Sequence, residues 1–163
     1  MKKSVAELRA VVLAEIEQLG LPKEPARLYE PIEYILSLGG KRMRPVLALM
    51  GCNMFNDSID NALAPAMGIE VFHNFTLIHD DIMDVAPLRR GQATVHEKWN
   101  SNVAILSGDV MLIKAYDLLL QVEESKLKHV LTAFNTCATE VCEGQQMDMD
   151  FEQRSTQSPG RLC

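Results

Sequence analysis

The sequence predicts an all-α protein. Three observations carry that prediction: apolar residues recur at three- and four-residue intervals over long segments, glycine and proline punctuate those segments, and alternating runs of strand type are absent. The composition agrees. Of 163 residues, 47% are hydrophobic and 23% charged, which excludes disordered and collagen-like chains and leaves enough apolar side chain for a core without staples.

Taken in order, Val5, Leu8, Val11, Val12, Ile16 and Leu19 share one face of a helix over residues 5–19, ended by Gly20 and Pro22. A second helix spans 26–38, with Leu28, Ile32, Ile35 and Leu36 as its apolar stripe, and stops at Gly39-Gly40. Pro45 suits the first turn of a third helix over 46–55, because its missing N–H would be unpaired there anyway. A long fourth helix covers 60–85, a loop follows at 87–91, and two more helices cover 101–122 and 125–144. Residues 154–163 are polar and aperiodic, so the chain divides into a helical part, 1–153, and an irregular tail, 154–163.

Charge and cysteine content narrow the function classes. The formal charge is −6, which argues against a chain-wide nucleic-acid footprint. Cys52, Cys137, Cys142 and Cys163 have no zinc-site spacing and read as reduced thiols. Met1-Lys2-Lys3 resembles a secretory n-region, but Glu7, Arg9, Glu15 and Glu17 interrupt any apolar run behind it, and no membrane span follows. A cytoplasmic protein is expected.

The chemistry concentrates in His79-Asp80-Asp81-Ile82-Met83-Asp84, inside an otherwise apolar helix. Aspartate is a poor helix former and avoids buried stripes. At about 100° per residue, Asp80 and Asp84 share a face one turn apart, and His73 lies within about 20° of the same line. Carboxylates this close repel unless a proton or cation intervenes, and an all-oxygen set favours Mg²⁺ shared with substrate phosphate. The competing reading is a solvated acidic face; the mid-helix position, far from the helix N-terminus, weighs against it.

Two basic clusters complement the acids. Gly39-Gly40-Lys41-Arg42-Met43-Arg44-Pro45 places three cations in a turn whose glycines let backbone approach an anion, and Arg89-Arg90-Gly91 follows the acidic helix. Either alone is more often a solvated loop. Together with the carboxylates they describe a diphosphate pocket, since arginine's fork and lysine's point charge both suit phosphate.

These motifs, with Ser107-Gly108-Asp109 and Glu143-Gly144-Gln145-Gln146-Met147-Asp148, resemble in order and spacing the trans-isoprenyl diphosphate synthases, over about positions 28 to 153. The resemblance implies an isoprenoid-synthase-type helical bundle, of which only the N-terminal half is present. It implies a prenyltransferase that condenses an allylic diphosphate with isopentenyl diphosphate through a Mg²⁺-assisted allylic carbocation, metals and arginines stabilising the departing pyrophosphate. By position, Asp80 and Asp84 would be Mg²⁺ ligands with Asp81 supporting. Lys41, Arg44 and His73 would contact isopentenyl diphosphate, Arg89 would face the allylic diphosphate, and Arg90 would help hold isopentenyl diphosphate. Gln145 and Asp148 would line the same cavity. Phe75, five positions before Asp80, would be the floor that limits the product to geranylgeranyl or farnesyl length. Ordinary packing remains the alternative for His73 and Phe75, and helix-end polarity for Gln145 and Asp148.

The departures matter too. Complete members are longer and carry a second aspartate-rich motif, which is missing after Asp148. This chain is therefore expected to bind diphosphate weakly and to turn over negligibly by itself, and to form a homodimer or larger oligomer through its last two helices. Two rival readings are a non-catalytic partner subunit of a prenyl synthase, which has less need of an intact acidic triplet, and a terpene cyclase, which has no use for the Gly39–Arg44 turn.

Overall fold

The computed structural model describes residues 2–156. Its elements are α1 (Val5–Glu17), α2 (Ala26–Ser37), α3 (Met43–Phe55), α4 (Asp60–Met83), a hairpin of β1 (Leu88–Arg89) and β2 (Gln92–Ala93), α5 (Val95–Lys98), α6 (Ser101–Leu119) and α7 (Glu124–Thr156). The helices before α7 pack as one body, and α7 forms a body by itself. The fold is all-α, as the periodicity predicts. No described helix is long and apolar enough to cross a membrane.

Local chemistry explains the starts and stops. Ser4 and Glu7 form a capping box that opens α1. Asn100 caps α6 by accepting from the Val103 N–H at 2.9 Å. Leu8 and Val12 of α1 pack with Val46 and Leu49 of α3 and with Ile59, Ala66 and Met67 at the head of α4. Each fully buried leucine in such a cluster contributes about 1.5–3 kcal/mol over an exposed one.

The central feature is the seam between α4 and α6, and glycines set how close it is. A Cβ at Gly68 would stand 3.1 Å from the Ala115 carbonyl oxygen, and one at Gly108 would stand 2.4 Å from the His79 ring. The seam positions the acidic end of α4. Ser107 ties α6 to α2 by donating to the Leu28 carbonyl at 2.9 Å.

Besides α3 starting at Met43 and α6 ending at Leu119, each three residues earlier than expected, the structure differs from the sequence expectation as follows. The segment after α4 is a hairpin rather than a loop, because Arg90 and Gly91 both take positive φ (55° and 78°), as a two-residue hairpin turn of type I′ requires. The short helix α5 is new. The fourth helix stops at Met83, with Asp84 as its C-cap. Finally, α7 passes through Gly144 to Thr156: one helical glycine costs about 1 kcal/mol, and the glutamate, glutamines and methionine around it are good helix formers. Residues 154–156 are thus helical rather than irregular, and the rest of the expected tail, with Cys163, lies outside the described residues. Cys52, Cys137 and Cys142 are free thiols.

Candidate diphosphate site

At the end of α4 the three carboxylates have different surroundings. Asp81 is buried, 1% exposed, and Arg89 of β1 grips it: Nε donates to both carboxylate oxygens at 2.9 and 2.8 Å, and Nη2 lies 2.7 Å from Oδ1. The same Nη2 reaches Asp80 Oδ2 at 3.3 Å. Asp80 is half-exposed and Asp84 exposed. The hairpin aims Arg89. Its base is fixed by the Ala86 N–H donating to the Asp81 carbonyl at 2.9 Å and by Thr94 Oγ1 donating to the Ala86 carbonyl at 2.7 Å.

The electrostatics follow from this packing. Burial, then repulsion from Asp84, raises the Asp80 carboxyl above its ordinary value, with Arg89 opposing. Hydrogen bonding to Asp81 raises the Arg89 guanidinium. Asp80 and Asp84 therefore form a carboxylate pair short of positive charge, despite the arginine beside it. The donor set fits Mg²⁺: two carboxylates four residues apart at the end of α4 offer hard oxygen ligands and leave positions for water and phosphate. Among the described residues no group of three or more His, Cys, Asp or Glu forms a metal cage.

The basic turn approaches from the other side. Gly39, Gly40 and Arg42 all have positive φ (77°, 137° and 52°). Arg90 Nη1 donates to the Gly39 carbonyl, and Arg9 Nη2 donates to the Gly40 carbonyl at 3.3 Å. A Cβ at Gly40 would lie 2.9 Å from Arg90 Nη1, so the guanidinium packs directly over the glycine. Lys41 and Arg44 are exposed, whereas Arg42 is 4% exposed and points into the protein. There Nη1 meets Glu70 Oε1 at 2.6 Å and Nη2 donates to the Leu36 carbonyl at 2.5 Å.

His73 joins the two clusters. Arg44 Nη1 lies 3.1 Å from its Nε2; a guanidinium only donates, so Nε2 accepts and the ring proton sits on Nδ1. Burial first, then the charges of Arg44, Arg90, Arg89 and Arg42, lower His73 from 6.5 to about 4. The imidazole is neutral at pH 7. Four arginines from two separate segments of the chain act on one ring. Burial, Arg42 and Arg89 likewise pull Arg90 below the ordinary arginine value.

The structure brings together Arg44, His73, Asp80, Asp81, Arg89 and Arg90, with Lys41 exposed on the same turn. Arg89 holds Asp81 and Asp80, the opposite charges nearest to it. Gln145 and Asp148 lie on α7, half-buried and exposed, in the other body. Phe75 is half-buried, its ring 5.7 Å from Phe72 and 4.6 Å from His79. The sequence reading assigned no role to Glu70 or His79. Glu70 carried a readable signal, an acid inside an apolar stripe, which is the same one that marks Asp80. His79, wedged against Gly108 with Nε2 3.7 Å from Asp109, carried none beyond its place beside the acidic run.

An all-α fold with a carboxylate face opposed by a glycine-arginine turn defines an isoprenoid-synthase-type helical protein, and comparison with known proteins agrees. The sequence matches the polyprenyl synthetase family over residues 25–161; the chain belongs to that family. It is 42% identical over 144 residues to the geranylgeranyl diphosphate synthase of Methanosarcina mazei, covering 86% of this chain and 44% of that protein. It is 39% identical to the geranylgeranyl pyrophosphate synthase of Geoglobus acetivorans, covering 90% and 46%. A crystal structure of a geranylgeranyl pyrophosphate synthase superimposes with a TM-score of 0.89 at 47% identity, over 98% of this chain and 47% of that one. The chain spans less than half the length of these relatives.

Proposed function

We propose that this chain forms the isopentenyl-diphosphate cradle and one metal-binding wall of a short-chain prenyl diphosphate synthase, which joins an allylic diphosphate to isopentenyl diphosphate. One observation carries the reading: Arg90, on the hairpin that follows the carboxylates, bonds the Gly39 carbonyl of the basic turn, so the two clusters belong to one site.

In this reading Lys41, Arg44, Arg90 and the Nδ1–H of neutral His73 bind the diphosphate of isopentenyl diphosphate. Asp80 and Asp84 would hold Mg²⁺, which supplies electrostatic stabilisation of a departing pyrophosphate. Buried Asp81 orients Arg89, whose charge adds to that stabilisation where negative charge develops. Gln145 and Asp148 are assigned to substrate binding on the motif Glu143–Asp148 alone. Phe75 is assigned as the floor of the tail channel, which makes geranylgeranyl or farnesyl diphosphate the product. Replacing Phe75 by alanine in a complete synthase carrying this segment should lengthen the product on chromatography; an unchanged length would leave Phe75 a packing residue. We further infer a cytoplasmic homodimer, supported by Leu106 and Ile113, about 60% exposed on α6; a clean monomer in light scattering would contradict the dimer.

The test uses the 163-residue chain with Mg²⁺ and labelled isopentenyl diphosphate. Weak, saturable binding without condensation is expected, because the second aspartate-rich wall is not in this sequence. Absence of binding would overturn the function; robust elongation would overturn the single-wall part of it.

A further inference from the structure

The turn over residues 39–42 has no regular structure and no side chain at two of its four positions, so its place must be set from outside. We propose that the buried Arg42–Glu70 pair is the positioning device of the isopentenyl-diphosphate cradle, an inference that rests on the function proposed above. The pair forms the inner of two rungs between the same turn and the same stretch of α4. The outer rung is Arg44–His73, at 3.1 Å and open to ligand. The inner rung is Arg42–Glu70, at 2.6 Å, with side chains 2% and 4% exposed. Glu70 and His73 stand three residues apart, one helical turn, so the height of the inner rung fixes the height of the outer one.

Arg42 also bonds the Leu36 carbonyl and is the N-cap of α3. One guanidinium thus pins the end of α2, the start of α3 and the middle of α4. The positive φ of Arg42 is unfavourable for a residue with a Cβ. Here it turns Arg42 inward while Lys41 and Arg44 on either side remain exposed. Asn74, fully buried, extends the rung by donating to Glu70 Oε1 at 3.2 Å and to the Glu70 carbonyl at 2.8 Å.

The arrangement is a poor one for stability. A buried ion pair often does no better than two apolar side chains of the same volume, since desolvation consumes the Coulombic gain. Moreover Arg42 Nε and Asn74 Oδ1 are buried with no hydrogen-bond partner among the described residues, a cost that an apolar contact would avoid. What the pair supplies is direction: a fork that accepts one register of the turn on α4 and no other. Glu70, Arg42 and Asn74 are therefore positioning residues, acting on substrate through Arg44, His73 and Lys41.

The test is an amide NMR titration of the full chain with two probes: isopentenyl diphosphate, read at Lys41 and Arg44, and Mn²⁺ as a paramagnetic stand-in for Mg²⁺, read around Asp80 and Asp84. Glu70→Gln should weaken isopentenyl diphosphate at least tenfold, about 1.4 kcal/mol, and leave Mn²⁺ binding within twofold. The double variant Arg42→Met/Glu70→Met should recover the wild-type melting temperature without recovering isopentenyl diphosphate affinity. Wild-type affinity in Glu70→Gln, a parallel loss of both probes, or recovery of affinity together with stability in the double variant would each overturn the positioning role. A wild-type chain that binds neither probe would overturn the functional reading beneath it.

Discussion

Two arginine–carboxylate pairs hold the two halves of the site, and they are built differently. Arg42–Glu70, beneath the basic turn, is sealed on both sides. Arg89–Asp81, at the end of α4, has a buried carboxylate but a guanidinium 22% exposed, which also leans on Asp80. The sealed pair can only fix geometry. The open pair fixes geometry and also keeps a cation beside carboxylates whose own repulsion is incompletely relieved. One end of the site is thus set rigidly, and the other retains a demand for positive charge that a divalent cation would meet.

The sharpest way to break this contrast is to remove the demand. Asp80→Asn with Asp84→Asn should lower Mn²⁺ affinity at least about 100-fold, beyond the 10–100-fold loss typical of groups that merely support a ligand. Isopentenyl diphosphate shifts at Lys41 and Arg44 should change little. If both probes weaken equally, the two halves are not separable in the way the two pairs indicate.

A smaller effect is expected behind the carboxylates. Gly108→Ala places a methyl 2.4 Å from the His79 ring and should cost about 1–3 kcal/mol of stability by overpacking, measured by denaturant titration. It should also disturb amides around Asp80 before those of the turn. A neutral outcome would mean that the ring swings aside freely and that the α4–α6 seam does not set the position of the acidic face.

A pH-dependent effect belongs to His73. Its folded value, about 4, lies below the 6.5 of the unfolded chain, so the unfolded state binds the extra proton first as pH falls. Its contribution to stability is complete above about pH 6.5 and is lost between there and about pH 4. His73→Gln should flatten the fall in stability across that window, and an unaltered slope would remove the burial and the four arginines as its cause.

The sequence made much of this legible, and the misses have physical reasons. Helical stripes and glycine-proline breaks located every long helix, because periodicity reports burial over many residues at once. The hairpin escaped because two-residue strands have no period; Gly91 was its only sign. The end of α7 escaped because Gly144 reads as a stop, although its neighbours carry the helix past it. At the site, residue types were readable but directions were not. Lys41, Arg42 and Arg44 are three equal cations in the sequence, and it is a left-handed backbone at Arg42, imposed by tertiary packing, that sends one of them to Glu70 and leaves the others outside. Similarly, nothing in three aspartates says which is buried until Arg89 is placed by the hairpin turn.

The central claim is that the turn and the hairpin converge on one diphosphate. It is tested most directly by titrating the isotope-labelled chain with isopentenyl diphosphate in the presence of Mg²⁺ and following backbone amides. Residues 39–44, His73 and residues 89–91 should shift together along a single saturable curve. Shifts confined to one of the two loops, or scattered over the surface without saturation, would contradict it.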